Sequence, residues 1–444
     1  MSKRNREKRT AKQRTRRQQR GPTPPRQDNA AHFRDSTGDF WPPQPPSPEV
    51  LANALLSAAT QFQRDRSAAT ACATELAAEQ SRTAGIATGI ALRTVISGLW
   101  QGGWLPVDLW QIIRRRQDSR TVGLIVDAIA ADTAQYSAAT VHQRWIEQVR
   151  QLDATVWWRQ DSPHLGQWAS QQGISIRHAL VVVITLLAEL MSLPELPRIL
   201  PLPGEVAAGD SAARTGVDQK VLARVRALLA KAESTQFPEE AEALSTKAQE
   251  LMNRHAFERA LLDATEHKPQ QVTSSRLWLD NPYVEPKSQL VAAIAASNRC
   301  RSVLHPSLGF VSLVGDPLDL EITELMTTSL LVQATRAMTA EGSRISRGGV
   351  SRTKSFRKSF LIAYAIRIGE RLREASETAH DTADDPRLLP VLTERTEVVD
   401  EAFRAMFEHT VEKRVSVNNG DGWYAGRAAA DRADLAINRT AVGQ

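Results

Sequence analysis

The chain has 444 residues, a formal net charge of +6 and two cysteines, Cys72 and Cys300. That length accommodates two or three domains with real cores. Two distant cysteines exclude a disulfide framework and a cysteine zinc motif, which fits a reducing compartment.

The charge is uneven. Residues 1–20 carry ten Lys or Arg and one acid, Glu7, for +9, which leaves the rest of the chain at −3. Attraction to phosphate must therefore come from the first residues or from local patches. No apolar run follows the first charges, so the start does not read as a secretory signal. The longest mainly apolar stretch, Ala179 to Ala188, is shorter than the roughly 20 residues a membrane span needs and reads as a core helix. The expectation is a cytoplasmic protein without a membrane partner.

Residues 1–46 read as a disordered basic and Pro-rich tail. Lys, Arg, Gln and Thr give way to Pro22, Pro24 and Pro25, then to Pro42, Pro43, Pro45 and Pro46. Such composition cannot bury enough surface to offset backbone entropy.

Ser47-Pro48-Glu49 is a helix start: a Ser cap, Pro at the first position and an acid in the first turn. Leu51, Leu55, Ala58 and Phe62 then share a face. A helical segment is expected over about 83–100, and Gly102-Gly103 breaks the chain. Pro106 starts another helix with Arg114, Arg115 and Arg116 near its end, where cations suit the dipole. Two further helices are expected over about 120–150 and 175–191. Together these make a helical, Trp-rich domain over 47–200, followed by a linker at 201–216. Seven of the ten tryptophans fall here: Trp100, Trp104, Trp110, Trp145, Trp157, Trp158 and Trp168. Packing anchors are the ordinary reading, and base stacking is the alternative. The adjacent pair Trp157 and Trp158 points at least one ring toward the surface or an interface.

Residues 217–263 carry two stripes at helical spacing. Val221, Leu222, Val225, Leu228, Leu229 and Ala232 form the first. Ala241, Leu244, Ala248, Leu251, Met252 and His255 form the second, restarted by Pro238 after a break. This is an αα-hairpin that must dock on something. Its runs KAESTQFPEEAEAL at 231–244 and KAQELMNRH at 247–255 resemble the bacterial family called domain of unknown function 2786. The segments 103–108, 330–336, 351–357 and 422–431 are similar in character to actinobacterial proteins of that layout. The resemblance implies no activity and no catalytic residue.

Beyond Gln270 the pattern changes to an α+β domain over 272–440. Short strands are expected at Arg276–Leu279, Arg301–Leu304 and Phe310–Val314, in a small antiparallel sheet. Helices follow at about 318–340 and 353–377, a strand candidate at Leu388–Glu394, and a helix at Val399–His409. Asn418–Gly422 reads as a turn before a helix from Trp423 to about Ile437. The fold class is thus mainly α, with a C-terminal α+β domain.

The strongest local anomaly is Gly342–Gly369, which holds Arg344, Arg347, Arg352, Lys354, Arg357, Lys358 and Arg367 with no acid. Phe356 and Phe360, at i,i+4, should face the core. A helix start with free amides, hydroxyls and cations can hold phosphate. The plain alternative is a solvated basic loop. Catalytic and cofactor motifs are absent: there is no His-Glu-x-x-His, phosphate loop or nucleophile elbow. Cys300 and His305 are two ligand types without further partners. Gly420, Gly422 and Gly426 lack dinucleotide spacing and suit a turn and a close-packed helix.

The favoured expectation is a non-enzymatic protein that meets nucleic acid through residues 1–20 and 344–358, with Arg344, Arg347, Arg352, Lys354, Arg357 and Lys358 as phosphate contacts. The alternatives are a protein-interaction module using the helical regions, and a phosphate-ester enzyme in the C-terminal domain.

Overall fold

A computed structural model describes residues 46–62, 64–78, 81–206, 223–224, 227, 270–342, 351–381, 388–411 and 415–433. The basic tail, nearly all of the 217–263 hairpin, and Arg344 and Arg347 lie outside the described residues. Among those described, helices predominate and one three-stranded sheet is present.

The first half is a helical layer: α1 Pro48–Phe62, α2 Ser67–Ala78, α3 Ser81–Gln101, α4 Pro106–Arg116, α5 Ser119–Thr133, α6 Gln143–Gln151, α7 His164–Gln171 and α8 Ile176–Met191. The segment expected as one helix over about 120–150 is divided into α5, a 3-10 turn at Ala138–Thr140, and α6. Helix α8 is the hub. It touches α1, α2, α3, α4, α5 and α7, and Leu180, Val183, Ile184, Leu186, Leu187 and Leu190 are all buried. A helix that is apolar all round belongs in the middle of a core. Ser175 caps it, accepting from the His178 amide at 3.3 Å.

The expected break at Gly102-Gly103 has a steric cause. Gly103 sits at φ 81°, and a Cβ there would come 2.2 Å from Leu196 O. The Leu196 amide donates to Gly102 O at 2.9 Å, tying the Pro-rich segment after α8 back to this corner.

In the second half, β1 Thr273–Trp278, β2 Arg301–His305 and β3 Phe310–Gly315 form an antiparallel sheet of order β1-β3-β2. Arg276 lies opposite Ser312, and His305 opposite Phe310. Alternation along the strands gives the sheet two faces. Leu277, Leu304, Val311 and Leu313 pack with Val291, Ala295, Cys300 and Leu320. The opposite face presents Ser274, Arg276, Trp278, Phe310 and Ser312, and meets the helical layer. Phe310, Leu308 and Trp278 belong to the same core as α1–α8.

The remaining helices are α9 Val284–Ser297, α10 Pro317–Ala340, α11 Thr353–Asp381, α12 Leu388–Met406 and α13 Gly420–Asp431. The strand expected at Leu388–Glu394 is the first part of helix α12. A short apolar run does not distinguish strand from helix by itself. Here Leu392, Thr396, Val399 and Phe403 continue it at helical spacing, Val399 is buried, and Thr396 Oγ1 donates to Leu392 O at 2.9 Å. The turn expected at Asn418–Gly422 is shorter, because α13 already begins at Gly420 with Asn419 as its cap.

No single helix among the described residues is long and apolar enough to cross a membrane. Helices α7 and α8 together pass a length and composition test, but they are bent by 108°, and most of α8 is core.

Candidate functional site

The basic stretch expected to hold phosphate maps to the start of α11. Phe356 and Phe360 are buried in a core with Leu330, Tyr364 and Ile368, as their spacing required. Anchoring that face turns the neighbouring cations away from the core to different extents. Arg352 and Lys354 are exposed, and Arg357 and Lys358 are half-buried. None of the four makes an ion pair among the described residues. Arg357 Nε is buried and has no hydrogen-bond partner among them.

Helix α13 runs parallel to α11 and brings a second amino end to this place. A Cβ on Gly422 would lie 2.4 Å from Phe356 O, and one on Gly426 would lie 2.2 Å from Phe360 O. Only glycine allows the two backbones so close. Asn419 caps α13 by accepting from the Gly422 amide at 2.8 Å, while its own amide donates to Ser359 Oγ at 3.2 Å. Two parallel helices ending together add their positive dipole ends. Asp421 is the acid in the first turn of α13. Tyr424, one turn further, is 75% exposed.

Further along the same helices the charges are spent internally. Arg367 meets Glu370 at 3.0 Å and Asp431 at 2.5 Å, and Arg427 donates twice to Glu370 at 3.0 and 2.8 Å. Hydrogen bonds from Arg427 and Arg367 hold the Glu370 carboxyl below its ordinary range. Arg371 donates to Ala430 O and Ala433 O. The cations at the start of α11 are therefore set apart from the paired ones that clamp its middle to α13.

A second site lies on the other side of the sheet turn. A cleft of about 580 Å³ opens between Pro194–Pro197, the β2–β3 turn at Leu304–Leu308, and the end of α12 at Ala405–His409. None of Arg352, Lys354, Arg357 or Lys358 lines it. His305 lines it, with Nε2 3.0 Å from Ser312 Oγ and its ring stacked on Phe310 at 4.5 Å. Burial, with Arg276 nearby, pushes the His305 imidazole down to about 4. Sequence reasoning did not find this cleft, since its three walls are about a hundred residues apart in the chain.

The Cys300 and His305 pair does not converge. Cys300 is buried behind Gly315, where it accepts from Thr323 Oγ1 at 3.7 Å. Burial raises its thiol well above the ordinary range. Among the described residues no group of three or more His, Cys, Asp or Glu is placed to hold a metal ion.

The tryptophans divide as their surroundings dictate. Trp100, Trp104, Trp145 and Trp168 are buried, and Trp100 meets Trp145 edge-on at 4.9 Å. Trp100 Nε1 donates to Asp132 at 2.8 Å and Trp104 Nε1 to Pro194 O at 2.9 Å. Trp157 is 42% exposed, so one ring of the adjacent pair does reach the surface. Asp127 ties this corner together. It accepts from Trp157 Nε1 at 2.9 Å and lies 2.8 Å from His164 Nε2, whose ring meets Trp158 at 4.4 Å. The phosphate-ester reading needs a carboxylate or nucleophile converging on the α11 cations, and among the described residues no ion pair joins one to them.

The fold and site together define a mostly helical protein with a small antiparallel sheet and a basic helix start that has no ion pair among the described residues. Residues 220–259 match the family model described as "Protein of unknown function (DUF2786)", in agreement with the resemblance seen at 231–255. Comparison with curated proteins returns no match, and comparison with solved structures returns none.

Proposed function

We propose that this is a nucleic-acid-associated protein that holds phosphates at the start of α11 and adds nonspecific attraction through residues 1–20. The observation that carries the reading is the contrast within α11. Arg367 is used by acids of its own fold, whereas Arg352, Lys354, Arg357 and Lys358 have no ion pair among the described residues. Cations held on a rigid helix, next to the amino end of a parallel helix, cost little ordering to present to phosphate. Arg344 and Arg347, just upstream, extend the same charge in sequence. No sequence-reading motif supports base specificity, so affinity is expected to come from counterion release.

The test is binding of the full chain to DNA and RNA across a salt series. Log affinity should fall with log salt by about 0.9 per phosphate neutralised on duplex DNA. A variant with Arg352, Lys354 and Lys358 changed to Glu should lower the affinity and flatten that slope. Absence of binding at low salt, or binding indifferent to salt, overturns the reading.

A further inference from the structure

We propose that the tryptophan floor beneath the Pro197–Gly204 segment binds a small, uncharged, planar molecule that carries one hydrogen-bond acceptor, such as an aryl ketone. Trp100, Trp104 and Trp145 line this place together with Ile199, Leu200 and Leu202. Two of the three indoles are satisfied: Trp100 Nε1 donates to Asp132 Oδ2 at 2.8 Å, and Trp104 Nε1 to Pro194 O at 2.9 Å. The third is not. Trp145 is 1% exposed, and its buried Nε1 has no hydrogen-bond partner among the described residues. Its ring meets Trp100 edge-on at 4.9 Å, so the indole is held in place and cannot turn toward another acceptor. A buried donor left without an acceptor is costly and uncommon. Water does not relieve it, because none of the roughly 160 Å³ of unfilled space here is wide enough for a water molecule. A ligand that brings an acceptor gains a hydrogen bond that neither the fold nor solvent supplies.

The segment over the floor is built to give way. Its ends are pinned: the Leu196 amide donates to Gly102 O at 2.9 Å, Arg276 Nη2 donates to Pro197 O at 2.8 Å, and the Gly204 amide donates to Thr140 O at 2.9 Å. Between those anchors, residues 198–203 make no backbone hydrogen bond to the body among the described residues. Pro201 and Pro203 have no N–H to give, and the Leu202 amide donates to Glu205 Oε2 within the segment's own turn at 2.9 Å. Side chains hold the middle, with Leu200 and Pro203 buried and Ile199 and Leu202 half-buried. Arg198 reaches Glu205 at 3.7 Å with both side chains half-exposed, a weak tie. Lifting this strap gives up apolar contact and breaks no backbone hydrogen bond to the body, and a guest restores the apolar contact. The lining sets the guest's chemistry. Indole rings and aliphatic side chains favour a flat apolar body. The one orphan donor calls for one acceptor, and Arg198 already has its carboxylate, so no charge is required.

The experiment titrates the full-length protein with acetophenone and with ethylbenzene, which has nearly the same shape and no acceptor. Binding is followed by the indole N–H signals in a nitrogen–proton correlation spectrum. Acetophenone is expected to bind about fivefold more tightly, the worth of one hydrogen bond, and to move the Trp145 N–H signal downfield. Ethylbenzene should not move it downfield. Trp145→Phe keeps a ring and removes the donor; it identifies the signal and should bring the two probes within about twofold. The affinity difference between the probes in the unaltered protein stands on its own where that variant does not fold. Equal affinity for the two probes in the unaltered protein overturns the proposal. So does an acceptor preference that survives in Trp145→Phe, or the absence of acetophenone binding at millimolar concentration.

Discussion

Asp108, at the third position of α4, receives both Arg276 and Trp278 from β1: Arg276 Nη1 pairs with Oδ2, and Trp278 Nε1 donates to Oδ1 at 2.8 Å. Both members of the ion pair are almost wholly buried. Arg276 Nη2 also donates to Pro197 O at 2.8 Å. Arg115 donates to Leu279 O at 3.1 Å and stacks 4.6 Å over Trp278. The helical layer and the sheet are joined by a satisfied polar network as well as by shared apolar core.

Breaking that pair from one side strands a buried charge. Arg276→Ala is expected to cost about 3–5 kcal/mol of stability. The double change Asp108→Leu/Arg276→Met removes both charges and should recover a large part of that loss. Chemical denaturation of the three proteins measures it; equal loss in the single and double variants would mean that the pair acts through packing alone.

Gly426 at the α11–α13 contact and Gly89 in α3 are expected to respond oppositely to a methyl group. Gly426→Ala places a methyl against Phe360 O, a backbone atom that cannot swing aside. It should destabilise by about 1–3 kcal/mol. Gly89, inside α3, has nothing within 4 Å of its would-be Cβ. Gly89→Ala should stabilise by about 0.5–1 kcal/mol. Thermal midpoints moving in opposite directions are the expected result.

His305 makes stability depend on pH in a defined window. Its folded value is about 4, against an ordinary 6.5, so the unfolded chain binds the extra proton between the two. Its contribution is fully present above about pH 6.5 and is lost as pH falls toward 4. Denaturation midpoints of wild type and His305→Gln, measured from pH 7.5 to 5, should converge as pH falls. Parallel curves would show that this imidazole is not the cause.

The surface cations should be separable from the fold. Arg352 and Lys354 are exposed and Lys358 half-buried, and Tyr424 is mostly solvent-facing. Replacing the three cations with Glu, or Tyr424→Ala, should shift stability by no more than about 0.5 kcal/mol. Nucleic-acid affinity should drop in the charge variant at unchanged thermal midpoint. A large loss of stability would assign those side chains to folding instead.

Much of the architecture is legible in the residues themselves. Helix starts at Ser47-Pro48 and Pro106, the core helix at Ala179–Ala188, the three short strands, and the inward pair Phe356 and Phe360 follow from caps and periodicity. The strand expected at Leu388–Glu394 failed because five residues of apolar run carry no period of their own. The helix there is set by Val399 finding a buried place and by Asp400 pairing with Arg301, Nη2 to Oδ2 at 2.6 Å. The cleft could not be read at all, since nothing local in Glu195, His305 or Glu408 links them.

By itself the sequence determined which faces are apolar, where helices start, and how strongly positive charge gathers at residues 1–20 and 344–358. Those properties depend on neighbours within a few residues. Tertiary structure alone decided that Arg276 is neutralised by Asp108 while Arg352 and Lys354 are left unpaired among the described residues, and that Glu195 and Glu408 share one cleft. Partnership between charges depends on distance in space, and a chain that folds back on itself sets those distances through packing, not through order in the sequence.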